Sequence, residues 1–178
     1  GTTGKTGHQR GLGMKKNEES LKEHSGDEMV EQVGKLLEER GKEALQMARN
    51  EVLQEKVESK EVQEALRYFM TEYWHDVTRP ALMSLVCEAV GGDPDKATPV
   101  AVSMIVISGA IDIHDDIIDE SKTKGSRLTV LGKFDRDIAL LVGDALLFKG
   151  FTLLYKAIEN GVSTEKASLI LNIIKETF

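Results

Sequence analysis

The chain has 178 residues, enough for one domain with a real core, because a chain of this size buries about 70% of its extended surface. Three prolines and few aromatic residues favour helices over sheets, and a formal net charge of −7 without a basic stripe argues against nonspecific nucleic-acid binding. The lone Cys87 excludes an intrachain disulfide framework; no apolar run looks long or uncharged enough to span a bilayer, and no signal-peptide pattern opens the chain, so the expectation is an acidic, cytoplasmic, all-α protein.

Residues 1–25 are glycine-rich, polar and poor in core residues, and read as a disordered tail or an appended leader with a natural start at Met14. The "GKT" at Gly4–Thr6 lacks the earlier glycine and preceding strand of a phosphate loop and carries no weight. From Asp27 a helical stripe begins with Met29, Val30, Val33, Leu36 and Leu37. Gly41 breaks or weakens it before Ala44, Leu45, Ala48 and Val52 form the next stripe. A further helix places Val62, Ala65, Leu66, Phe69 and Met70 on its inner face, and these stripes between residues 27 and 70 are expected to face the core or a partner subunit.

The segment "HDVTRP" bends the chain, because Pro80 suits a first helical turn and disfavours helix before it. The helix "PALMSLVCEAV" then ends at Gly91-Gly92, where Cys87 reads as a small core residue. "DPDKATP" is expected to be a loop, followed by a helix from about Val100 and a second loop at "SKTKGSR". Two more helices cover about 136–160 and 164–178, separated by Asn160-Gly161, and no strand pattern stands out.

The stretch "SGAIDIHDDIIDESKTKGSRLT" (108–129) carries the chemistry. At 100° per residue, Asp112, Asp115, Asp116 and Asp119 fall within an arc of about 100° on one helix face. Ile111, Ile113, Ile117 and Ile118 take the other side. Aspartate is a mediocre helix former, and like charges one turn apart add roughly 0.2–0.5 kcal/mol of cost per pair. No lysine or arginine lies within the run, so a counter-charge has to come from elsewhere. A hard divalent cation is one candidate, since Mg2+ takes oxygen ligands, keeps waters and bridges carboxylates to phosphates. Asp115 and Asp119, one turn apart, suit one ion, with Asp116 serving another ion or the outer shell. A solvated acidic face is the alternative.

"HDDIID", the basic glycine loop "KTKGSRLT" and "GDALLFKGF" follow one another in an order that resembles the trans-isoprenyl (polyprenyl) diphosphate synthases. The resemblance covers about residues 60–178, the N-terminal half of such an enzyme, and includes "TRPALMSLVCEAVGGDP". It implies an all-α isoprenyl synthase-type bundle that pairs as a homodimer, here without the C-terminal helices, so this chain alone is expected to be incomplete and inactive as a prenyltransferase. It implies condensation of isopentenyl diphosphate with an allylic diphosphate, dependent on Mg2+. Asp115, Asp116 and Asp119 match its DDxxD motif and take the metal and catalytic roles. Lys124 and Arg127 fall to the allylic diphosphate and Arg79 to isopentenyl diphosphate. Ala110 and Ile111, one turn before the motif, place no aromatic plug there and lean towards a longer product.

The sequence departs from that pattern mainly on the isopentenyl side. Asp76 stands where GKxxRP has its second residue, a lysine, and Ser108 stands where a histidine is usual. Lys124, with Lys122 and Arg127 alongside, replaces an arginine pair, and a lysine lacks arginine's bidentate fork. Asp112 is an added carboxylate. The alternative reading is therefore a non-catalytic homologue acting as a binding or scaffold subunit. The doublets His75-Asp76 and His114-Asp115 also suit a metal-dependent phosphohydrolase, but only His8 and His24 remain as further histidines. His114 reads as a packed residue, His75 as a loop residue, Phe69, Tyr73 and Trp74 as core or interface, and Asp144 either as surface or as part of the site.

Overall fold

The computed structural model describes the backbone of residues 7–159 and 161–177 and the side chains of 26–159 and 161–176. The chain divides into two compact units, Gly1–Leu37 and Glu38–Phe178. Residues 4–6, with the "GKT", lie outside the described residues, as do the side chains of 1–25; the backbone from Gly7 onward is helical.

The elements in order are α1 (Gly7–Leu53), α2 (Lys60–Tyr68) running into a π-helical turn (Phe69–Tyr73), α3 (Thr78–Ala89), α4 (Pro94–Ile118), strands β1 (Thr123–Lys124) and β2 (Arg127–Leu128), α5 (Val130–Lys133), α6 (Arg136–Glu159) and α7 (Thr164–Thr177). All-α is right as a class. The two short strands form an antiparallel hairpin inside the expected "SKTKGSR" loop.

In the first unit, Met29, Val30, Val33 and Leu36 are exposed. In the second, Ala44, Leu45, Ala48 and Val52 are buried as expected. Gly41 does not break α1: a Cβ there would collide with the Val77 backbone carbonyl, so the glycine lets the segment before α3 pass against the helix.

α4 starts at Pro94, not Val100, so "DPDKATP" is helix rather than loop. Asp93 accepts a hydrogen bond from the Asp95 N–H (3.1 Å) and Pro94 takes the first helical turn, where its missing donor costs nothing. Pro99 lies inside the helix, in its second turn, where it leaves the Asp95 carbonyl without its helical N–H partner.

α4 and α6 form the central pair of the second unit, with α3 against α4 and α2 against α6. They approach closely because small residues sit at the crossing. A Cβ at Gly150 would meet Ile107, and one at Gly143 would meet the His114 ring. The buried Ser103 hydroxyl donates to the Gly150 carbonyl at 2.8 Å. Ile105, Ile113, Val142 and Leu146 fill the seam, with Phe69 packed over Gly109. By length and composition α4 and α6 are each apolar enough to cross a bilayer, contrary to the sequence reading, and 50% and 44% of those stretches are buried inside the fold.

Candidate active site

The four aspartates lie at the C-terminal end of α4, which closes at Asp119 with Glu120 in left-handed geometry (φ 52°). Their environments differ. Asp116 is buried (3% exposed), Asp112 is partly covered, and Asp115 and Asp119 are exposed. The missing counter-charge is Lys124. Its Nζ lies 2.7 Å from Asp112 Oδ1 and 2.9 Å from Asp116 Oδ1.

Lys124 reaches that point because the hairpin is anchored on three sides. Gly125 supplies the left-handed residue of the turn (φ 61°), and Lys124 pairs directly with Arg127 across it. The Tyr68 hydroxyl donates to the Leu128 carbonyl at 2.7 Å, and Thr129 Oγ1 to the Ser121 carbonyl at 2.7 Å. Gly132 of α5 packs so tightly on the Lys122 carbonyl that no side chain fits there. Two cations opposite one another in a hairpin repel, and the carboxylates on α4 relieve that for Lys124.

Burial pushes the Asp116 carboxyl up from its ordinary range, with the Lys124 hydrogen bond and charge pulling the other way. Burial alone would lower Lys124, but hydrogen bonds and charge from Asp112 and Asp116 outweigh it and hold the ammonium above the usual lysine range. Nearby, the Tyr73 phenol is pushed up to about 12, first by burial and then by the charge of Asp116.

A cleft of about 480 Å3 opens beside this cluster, lined by Tyr73, Trp74, His75, Asp76, Arg79, Asp112, Lys124 and Arg127. The three cations singled out from sequence, Arg79, Lys124 and Arg127, therefore meet in one place. Asp115 and Asp119 do not line it.

Asp76, the residue of reversed sign, is buried (7% exposed) and occupied locally. Its Oδ2 accepts from Arg79 Nη1 at 2.8 Å and its Oδ1 from the Arg79 N–H at 3.2 Å, closing the first turn of α3. His75, in the loop as expected, lies 3.2 Å from Glu38. His114 packs over Gly143 as expected, but its Nε2 also lies 3.2 Å from Asp144 Oδ1 and ties α4 to α6. Tyr73 and Trp74, expected as core or interface, line the cleft. The Trp74 indole stacks on Phe69 (centroids 5.2 Å apart), and its Nε1 is buried without a hydrogen-bond partner. Their adjacency to the "HDVTRP" segment was the one sequence signal for that role.

Among the described residues no three His, Cys, Asp or Glu side chains gather closely enough to hold a metal ion. The oxygen-donor chemistry still suits a hard cation. Asp115 and Asp119 are exposed and one turn apart, whereas Asp116 is engaged by Lys124. Two carboxylates are as many as Mg2+ commonly takes from a protein.

Comparison with known proteins adds lineage to this geometry. The (2E,6E)-farnesyl diphosphate synthase of Mycobacterium tuberculosis is 41% identical over 69 residues, which are 39% of this chain and 19% of that protein. A short chain isoprenyl diphosphate synthase of Methanothermobacter thermautotrophicus is 32% identical over 94 residues, 53% of this chain and 29% of that protein. The chain thus spans less than a third of the length of these relatives in the matched regions. Among solved structures, geranylgeranyl pyrophosphate synthetase from Pyrococcus horikoshii superposes with a TM-score of 0.69 and 27% identity, over 82% of this chain and 43% of that one. The family model for polyprenyl synthetase matches residues 59–178, the span that holds the cleft, the aspartates and the α4–α6 pair, and the chain belongs to the polyprenyl synthetase family.

Proposed function

We propose that the protein is a polyprenyl diphosphate synthase that condenses isopentenyl diphosphate with an allylic diphosphate. The observation that carries the reading is the convergence of Arg79, Lys124 and Arg127 on one cleft beside the aspartate end of α4. Three cations in one concavity suit diphosphate groups, and the family relationship supplies the reaction class. Asp115 and Asp119 are the residues to hold Mg2+, with Asp116 behind them. When bound, the ion would neutralise charge on the departing diphosphate. The chain's own residues bind and orient: Lys124 and Arg127 take the allylic diphosphate, and Arg79, steadied by Asp76, takes isopentenyl diphosphate. Ile111, partly exposed one turn before Asp115, is the residue placed to meet a growing chain, and its lack of an aromatic ring favours a longer product. A cytoplasmic homodimer belongs to the same reading.

The test is to incubate the full-length protein, with the C-terminal helices that the family resemblance implies, with Mg2+, labelled isopentenyl diphosphate and allylic diphosphates of several lengths, then to analyse extracted lipid. Extended product is expected, and Asp115→Ala should reduce its rate by about a hundredfold or more, the scale for losing one charge-stabilising contact. The second reading, a non-catalytic binding subunit, is favoured by one observation, the lysine-neutralised Asp116. A folded protein that extends none of the allylic diphosphates would select it.

A further inference from the structure

Two departures from the family pattern touch one another. Asp112 is the added carboxylate, Lys124 stands in place of an arginine pair, and their charged atoms lie 2.7 Å apart. An arginine at such a position comes with a planar fork that orients itself, whereas a lysine is a point charge on four rotatable carbons. Left free, it loses most of its rotamer freedom when it engages a phosphate. Lys124 is not free. Asp112 and Asp116, one helical turn apart on the rigid end of α4, each take one of its three donors, and Lys124 and Asp112 both line the cleft that Arg79 and Arg127 face. The third donor remains for a ligand.

We propose that Asp112 is a positioning residue that pins Lys124 at the wall of the cleft, so that a lysine does the diphosphate-binding work of the arginine it replaces. Asp116 alone does not suffice, because it lies buried beneath the ammonium and leaves the stem free to swivel about a single contact. The inference rests on the reading of Lys124 as a diphosphate ligand, and its test separates the two.

The first measurement needs no ligand. Trypsin must draw a lysine into its own pocket, so a pinned Lys124 resists cleavage of the 124–125 bond, while exposed Lys122 serves as control in the same hairpin. Asp112→Asn should speed cleavage after Lys124 several-fold with little change after Lys122, and Asp112→Glu should restore much of the resistance. The second measurement titrates inorganic pyrophosphate into the protein by calorimetry in Mg2+-containing buffer. Asp112→Asn should weaken binding about tenfold, the factor expected when a lysine's rotamer freedom is lost at binding. In a Lys124→Ala background the same substitution should change nothing further.

Unchanged cleavage at 124–125 in Asp112→Asn overturns the proposal directly. Faster cleavage with pyrophosphate affinity that is the same in wild type, Asp112→Asn and Lys124→Ala overturns it through the lysine's ligand role, and the proposed function then loses that residue. Equal effects of Asp112→Asn in the presence and absence of Lys124 overturn it as well, because the acid then acts through something other than the lysine.

Discussion

At the scale of single residues, the site is governed by how each carboxylate is neutralised. Asp116 and Asp76 are both buried, and each is answered by one basic side chain, Lys124 and Arg79. A buried carboxylate without such a partner would be strongly unfavourable. Asp76 thus has local work that a lysine at the same position could not perform. It caps the start of α3 and holds Arg79 at once. Asp76→Ala should lower stability by about 1–2 kcal/mol in urea unfolding, the usual cost of a lost cap with a charged hydrogen bond. Asp76→Asn, which keeps the cap and loses the ion pair, should cost clearly less. Equal losses would show that the ion pair, and not the cap, dominates.

At the scale of elements, glycines decide how near the helices and loops come. Gly34 and Gly41 lie on the same helix, seven residues apart, yet their surroundings are opposite. Nothing lies within 4 Å of a Cβ at Gly34, whereas Gly41 faces the backbone of Val77. Gly34→Ala should therefore raise stability by up to about 1 kcal/mol through helix propensity alone. Gly41→Ala gains the same propensity but must displace a backbone carbonyl, and overpacking of that kind costs about 1–3 kcal/mol. Thermal unfolding of the two variants should give shifts of opposite sign. The sequence reading marked Gly41 as a weak point of the helical pattern, and nothing in the local sequence showed that a backbone carbonyl lies against it.

At the scale of the whole molecule, the exposed apolar surface asks for a partner. Leu141, Phe148 and Tyr155 recur every seven residues on α6, with Phe151 between them, and all four are exposed. Such a seam matches the repeat by which helices pack against helices. The homodimer within the proposed function gives it one occupant, a second copy. Sedimentation at micromolar concentration should report twice the chain mass, and Phe148→Glu should shift the protein towards the monomer while leaving its helical content unchanged. A monomeric wild type would remove the dimer from the reading.

The sequence by itself determined the all-α class, the placement of the later helices, the aspartate face and the family, because these rest on short-range spacing: the 3.6-residue period, caps, and motifs read in order. Even the need for an outside counter-charge on the aspartates was visible from the absence of cations in the run. What only the tertiary structure decided was which charge answers which. The pairing of Lys124 with Asp112 and Asp116 depends on how a hairpin turns back onto α4. The gathering of Arg79 with Lys124 and Arg127 joins segments more than forty residues apart in the chain. The same holds for the start of α4, where Asp93 and Pro94 began a helix in a stretch whose composition suggested a loop. Spacing along a chain fixes which face a residue occupies, but not which other face it meets, because that depends on packing.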